Sequence, residues 1–238
     1  GPIGGDLSHE FIILAETGES EVFCHKDLLE FDVLGEEDDY EADLQPVVDR
    51  WTSLYAATDE KHEVEKSAEL GDALINARGI EGGQIFYFGT KYSKAMSAAV
   101  AGSDGEQVFP EMGSYGIGVS RLVGGIIEAF HDQNGIVWPE AVSPFGVGIV
   151  NLKAGDTDCD GVCTDLYSRL EASGAEPLLD DRDERAGAKF ADMDLIGLPW
   201  QVVVGPRGIK NGVVEFKNRA SGEREEISVE SALARLTG

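Results

Sequence analysis

Basic residues are scarce in this 238-residue chain: 19 Lys and Arg stand against 45 Asp and Glu, a net charge of -26 at pH 7. That balance favours solubility and opposes generic affinity for nucleic acid or anionic lipid. Cysteine is nearly absent as well. Cys24, Cys159 and Cys163 are too few and too odd in number for a disulfide framework, which points to a reducing, cytoplasmic setting. Cys159 and Cys163 lie four apart with no histidine or second cysteine pair beside them, so no structural metal is expected. No run approaches the ~18 apolar residues of a membrane span, and no signal peptide opens the chain, so no membrane role is expected. An initiator methionine is also missing. The chain opens on Gly1-Pro2, as a cloning scar or a piece of a longer protein would.

What is present is an uneven pattern. Hydrophobic residues make up 42% of the chain, enough for one large domain or two modest ones. Residues 1–144 hold 28 acids and 8 bases, a net of -20; residues 145–238 hold 17 and 11, a net of -6. The acids concentrate at Glu36 to Asp39 and at Glu41 and Asp43, which reads as a solvated loop. Trp138-Pro139 and Ser143-Pro144 punctuate the chain, and a boundary is placed near Pro144.

Before that boundary, the apolar run Phe11 to Ala15 predicts a strand, with Glu21 to Cys24 as its hairpin partner across Thr17-Gly18. One helix is predicted from Leu44 through Tyr55, with Pro46 in its first turn. A second runs from Thr58 or Asp59 past Val64 and Leu74 to a stop at Gly79. Gln84 to Gly89 predicts a strand, and Val119 to Phe130 a wholly buried helix. After Pro144, strands at 145–152, 176–179 and 200–204 alternate with helices at 157–172 and 186–196. A hairpin (213–218 with 225–227) and a last helix follow. That order implies an α/β domain with a mixed sheet.

The densest chemistry lies in Gly113-Ser114-Tyr115-Gly116-Ile117-Gly118-Val119-Ser120-Arg121. Glycines at this density let a backbone approach a ligand or take positive φ, and the arginine suits a phosphate or a base. The residues alone fit equally a tight strand-to-helix turn with a salt-bridged arginine.

Five stretches, in order, resemble the carboxy-terminal half of bacterial prolyl-tRNA synthetases, a family of class II aminoacyl-tRNA synthetases. They are Ile3-Gly4-Gly5 with Ser8-His9-Glu10-Phe11, Phe88 to Ser93, Gly113 to Arg121, Gly135 to Pro139, and Asp181-Arg182 with Gly187 to Phe190. The resemblance implies an α+β chain: the carboxy-terminal part of an antiparallel-sheet catalytic domain (1–144), then a mixed-sheet anticodon-binding domain (145–238). It makes Gly113–Arg121 motif 3. Arg121 would then be the catalytic residue, stacking on adenine and neutralising phosphate, with Thr90 and Gly118 also at ATP. Tyr92, Ser114 and Gly116 would meet proline, and His9 and Glu10 would enter the same site. Arg182, Arg185, Lys189, Lys217 and Arg219 would meet tRNA, while Phe190 and Phe216 read as core.

The implied reaction joins proline to tRNA(Pro) through a prolyl-adenylate, using ATP with Mg2+ as substrate, in a homodimer. The family's motifs 1 and 2 are not found, so the chain alone is not expected to activate proline. No editing insertion fits between Cys24 and Gln84, which implies the short form and a separate trans-editing protein. The competing readings are a non-catalytic tRNA-binding or regulatory paralogue, and a threonyl, histidyl or glycyl synthetase of the same class.

Overall fold

In a computed structural model, which describes residues 7–31 and 41–237, one 16-residue strand organises the first half of the chain. The Ile3-Gly4-Gly5 stretch and the Glu36–Asp39 run lie outside the described residues. Contacts divide the chain into two compact units, Gly1–Ala129 and Phe130–Gly238.

In the first unit the order is β1 (Leu7–Leu14), β2 (Ser20–His25), α1 (Gln45–Trp51), β3 (Ala56–Thr58), α2 (Val64–Leu70) and β4 (Leu74–Gly89). Then come α3 (Lys91–Ala95), β5 (Val100–Ala101), β6 (Gln107–Val108), β7 (Met112–Ile117) and α4 (Val119–Ala129). The main sheet is antiparallel with order β1-β4-β2-β3, and β7 also pairs with β4. β1 follows one edge of β4 from Gly79 to Tyr87. β2 (Leu74 to Gly79) and β7 (Gly83 to Gly89) share the other edge.

Four expectations give way to the structure. β1 and β2 are not hairpin partners, because β4 lies between them. Their connection passes over β4 where Gly18 meets Gly79. A Cβ on Gly18 would stand 2.4 Å from the Gly79 backbone, and one on Gly79 would stand 2.3 Å from Ile12 Cγ2. Only this glycine pair leaves room for the crossing. The predicted helix ending at Gly79 stops instead at Leu70. Gly71 takes φ +49°, and residues 74–79 are captured by backbone pairing to β2, which overrides their helical spacing. α1 likewise ends at Trp51, and the Tyr55 carbonyl accepts from the His25 amide as the chain joins the sheet edge. α4 is not wholly buried. Among its residues only Gly125 is fully buried, and Val119 and Val123 are exposed. The helix packs one face on the sheet, near Ile13 and Ile80, and turns the other outward.

The second unit runs β8 (His131–Asp132), β9 (Gly135–Ile136), β10 (Val147–Asn151), α5 (Thr157–Ser173), β11 (Pro177–Asp180) and α6 (Ala186–Ile196). β12 (Trp200–Val204), α7 (Pro206–Lys210), β13 (Val214–Asn218), β14 (Arg224–Ile227) and α8 (Val229–Thr237) complete it. Its mixed sheet has order β11-β10-β12-β13-β14, with the first three strands parallel. Alternate residues of β10 serve two cores. Val147 and Ile149 pack with Leu166 and Leu170 of α5 and Leu233 of α8, whereas Val150 packs with Met193 of α6. Burial on both faces is why these strands read as nearly continuous apolar runs. The Asp156 carboxylate caps α5 by accepting from the Cys159 amide, and Gly174 at φ +82° ends it. Residues 130–144 pack with this unit. Arg219 grips Asp132 in a two-bond fork at 2.8 Å, and the Trp138 indole donates to the Ile196 carbonyl at 3.0 Å. Among the described residues no helix is long and apolar enough to cross a membrane.

Candidate functional site

Register in the first sheet sorts the residues of interest by face, since paired residues on neighbouring strands point the same way and successive residues alternate. Glu10, Gln84 and Gly116 form one row, and Ser8, Phe86 and Ser114 the next row on the same face. Gln84 Nε2 donates to Glu10 Oε1 at 3.3 Å. Phe86 stacks on Phe88 (centroids 5.8 Å), and Tyr92 meets Phe88 edge-on at 4.9 Å. The face thus runs from Tyr92 along an aromatic ladder to Ser114, Gln84 and Glu10. A Cβ on Gly116 would meet nothing within 4 Å, so open space stands over this row. Neither Gly113, Gly116 nor Gly118 has positive φ. Close approach accounts for Gly113, where a Cβ would stand 3.0 Å from the Phe86 carbonyl, and for Gly118, where one would meet the Arg121 Cβ at 3.3 Å.

The stretch expected to be a turn is therefore mostly strand. β7 carries Gly113 to Ile117, Gly118 is the junction, and Arg121 sits in the first turn of α4. The Gly118 amide donates to the Gly82 carbonyl at 2.9 Å and fixes where the helix starts. Arg121 Nη1 donates to the Glu81 carbonyl at 3.3 Å and lies 3.8 Å from the Glu81 carboxylate, with about half its side chain exposed. Glu81 pairs with Ile12, which shares the face of Glu10. Burial first, and then the neighbouring Glu81 carboxylate, push Glu10 above its ordinary pKa.

Thr90 is half-buried where β4 meets α3, and its hydroxyl makes no cap bond. His9 separates from the group. It pairs with Ile85 and Tyr115 on the opposite face, the face onto which Leu122 of α4 packs, so it cannot share a pocket with Glu10 and Ser114. Three members of the site face were missed as functional residues: Gln84, Glu81 and Ser8. The Ser8 hydroxyl is buried with no hydrogen-bond partner among the described residues. Period-two alternation from Ser8 to Ile12, read against Gln84, is the signal that would have found them.

The five basic residues expected on RNA also divide. Lys189 is fully buried, and its Nζ donates to the Asn151 carbonyl at 2.6 Å and the Asp180 carbonyl at 3.3 Å. Lys217 is buried against Asp194 at 2.5 Å, and Arg219 is buried in its fork with Asp132. Burial removes these three from any RNA surface. Burial alone raises Asp194, but hydrogen bonds from Lys217 and Gln201 outweigh it and leave the carboxyl below its ordinary pKa. The hydrogen bond from Arg219 holds Asp132 far below the usual carboxylate range. Arg182 is half-exposed, forked onto Asp180 and bonded to Asp192 at 2.8 Å, and Arg185 is exposed. Phe216 is buried in one core of this sheet, and Phe190 packs against the other, with Val150 and Met193.

Residues 146–238 match the family model described as "Anticodon binding domain". The chain is similar throughout its length to the proline–tRNA ligase of Parvibaculum lavamentivorans (63% identical, 55% of that protein). It is as similar to that of Rhodospirillum rubrum (64% identical, 54% of that protein). The chain therefore spans about half the length of the curated relatives it matches. Among solved structures, prolyl-tRNA synthetase from Cryptosporidium parvum, complexed with L-proline and AMP, superposes with a TM-score of 0.60 at 22% identity. That superposition covers 67% of this chain and 36% of that one, a likeness of fold.

Proposed function

Because the chain belongs to the family of the proline–tRNA ligases, we propose that it serves the ligation of proline to tRNA(Pro). In the first step a proline carboxylate oxygen attacks the α-phosphorus of ATP, supplied as its Mg2+ complex, and pyrophosphate leaves. In the second a terminal ribose hydroxyl of the tRNA attacks the prolyl carbonyl and AMP leaves. The observation that carries this reading is the assembly of Tyr92, Ser114, Gln84, Glu10 and Gly116 on one sheet face, with Arg121 reaching that face through Glu81.

Arg121 is the catalytic residue of the proposal. A planar guanidinium lies flat on a purine while its charge favours the polyphosphate, and positioned cations stabilise the charge that develops on the leaving group. Thr90 and Gly118 lie with ATP. Ser114, Gly116, Tyr92 and Glu10 surround the pyrrolidine ring, and His9 leaves the set. Residues 1–144 form the carboxy-terminal part of the catalytic domain and 145–238 the anticodon-binding domain, in a cytoplasmic homodimer. Between β2 and β4 the described residues hold only α1, β3, α2 and their connections. A pocket for proline gains only about 1–3 kcal/mol per methylene against alanine. Clearance of mischarged tRNA by a separate protein follows from those two statements.

The test grafts this chain into the Parvibaculum lavamentivorans ligase in place of its matching residues. Amino-acid-dependent ATP–pyrophosphate exchange is then measured. Exchange with proline, and none with threonine, histidine or glycine, is expected. An inactive graft beside an active parent, or exchange with another amino acid, ends the proposal.

A further inference from the structure

Few cations of the first unit are free to meet an anion. Lys66 is paired with Glu69, Arg121 stands beside Glu81, and Arg78 donates to the carbonyls of Gly18 and Glu19. Lys26, Lys61, Lys91 and Lys94 are exposed and make no ion pair among the described residues. The first two have an acid next to them in sequence, Asp27 and Glu60. Lys91 and Lys94 do not. No acid occurs between Glu81 and Asp104, the longest acid-free stretch of the chain.

Local structure presents these two lysines together. Both lie on the short helix α3, one turn apart. Between them Ser93 is fully buried, and its hydroxyl donates to the Thr90 carbonyl at 3.2 Å. Ser97 takes φ +56°, and the Ala98 amide donates to the Ser93 carbonyl at 2.8 Å. A left-handed residue with that bond closes a helix end firmly. The Lys91 ammonium lies 5.3 Å from the centre of the Tyr92 ring. Tyr92 meets Phe88 edge-on and Phe88 stacks on Phe86, so a cation stands at the outer end of the aromatic ladder that leads to Ser114. Glu111, just before β7, is bonded to the Tyr87 hydroxyl, and Tyr87 belongs to the opposite face.

We propose that α3 is the surface over which the unpaired 3′ end of the tRNA enters the site, with Lys91 and Lys94 contacting its phosphates. The proposal rests on the reading of this sheet face as the site of proline ligation. The second step brings a terminal ribose hydroxyl to the prolyl carbonyl on that face. A strand with one negative charge per nucleotide must therefore approach residues 1–144, whose net charge is -20. Single-stranded RNA is held where cations track its backbone, and that attraction depends on local charge, not on the global sum. α3 supplies such a place in the acid-free stretch, and the aromatic ladder joins it to the row where the ester forms. A cation already neutralised by a carboxylate has less to offer.

The test compares the two steps in the grafted ligase. A double variant, Lys91→Ala with Lys94→Ala, is expected to keep the parent's proline-dependent pyrophosphate exchange, which needs no tRNA. Its kcat/KM for tRNA(Pro) in aminoacylation should fall about tenfold, and the salt slope should drop by about 0.7 per lysine. Lys61→Ala, an exposed cation away from α3, is expected to change neither. In binding titrations the parent should hold tRNA(Pro) more tightly than the same tRNA trimmed of its unpaired 3′ end, and the double variant should hold both alike. Aminoacylation and binding equal to the parent's overturn the proposal. Exchange that falls together with aminoacylation also overturns it, since the lysines would then serve ATP. A parent graft without proline-dependent exchange instead removes the ligation reading beneath it.

Discussion

Arg121 and Lys189 show how differently two cationic side chains behave in different surroundings. Arg121 stands half-exposed with a single carboxylate 3.8 Å away, a loose tether that a ligand displaces readily. In the grafted ligase, Arg121→Lys is expected to lower kcat/KM for proline activation about 100-fold. Lysine keeps the charge and loses the plane. A loss below threefold in exchange kinetics would remove Arg121 from the catalytic role. Lys189 is sealed inside and bonded to two strand-end carbonyls. Lys189→Ala leaves those carbonyls and the Asp180 carboxylate short of a partner, and about 3 kcal/mol of unfolding free energy should be lost in urea titration. The cysteines are the quiet counterpart. Burial pushes the Cys159 thiol up to about 11 and Cys163 up to about 12, so neither should be alkylated in the native chain at pH 8.

Among elements, those with signals at both ends were legible and those without were not. α5 has the Asp156 cap and Gly174, and α6 and β12 match their expected limits of 186–196 and 200–204. Here local chemistry and tertiary packing agree. The long β4 was half hidden, because Leu74 to Arg78 continues the spacing of the preceding helix and only pairing to β2 makes it strand. The crossing at Gly18 and Gly79 was illegible for a related reason: a glycine in a turn signals freedom of φ, whereas Gly18 is needed for clearance. Gly18→Ala should therefore destabilise the first unit by about 1–3 kcal/mol through overpacking, measurable by thermal melting. Of the candidate site, the motif residues were legible as types but not as a face. His9 and Glu10 are adjacent in sequence and opposite in the sheet. The RNA residues failed for want of burial information, since an arginine that closes a fold looks like one that binds a phosphate.

Across the whole molecule the two units differ in what acid does to them. In the second unit Asp132, Asp180 and Asp194 are all depressed below their ordinary pKa by bonded cations and neighbouring donors. A depressed carboxyl adds stability that is fully present above its unfolded pKa, about 4, and lost as pH falls below that value. Glu10 in the first unit is raised, so its contribution has the opposite sign. The second unit should lose stability steadily from about pH 5 downward. The fluorescence of Trp138 and Trp200, both in that unit, reports it. A flat fluorescence signal down to pH 3 would contradict the assignment.

The crossing of the β1–β2 connection over β4 also governs time. β1 and β2 leave the ribosome with almost nothing between them, yet neither can pair with the other. Leu7 must wait for Tyr87, and Ser20 for Gly79. At translation speeds of 5–20 residues per second, the roughly 60 to 80 intervening residues take about 3–16 s to emerge. During that interval Phe11 to Leu14 is an unpaired apolar edge, and every pairing that later rescues it closes a long loop. The nascent first unit is thus the part of this chain most exposed to misassociation during synthesis, and its folding rate is set by the arrival of β4.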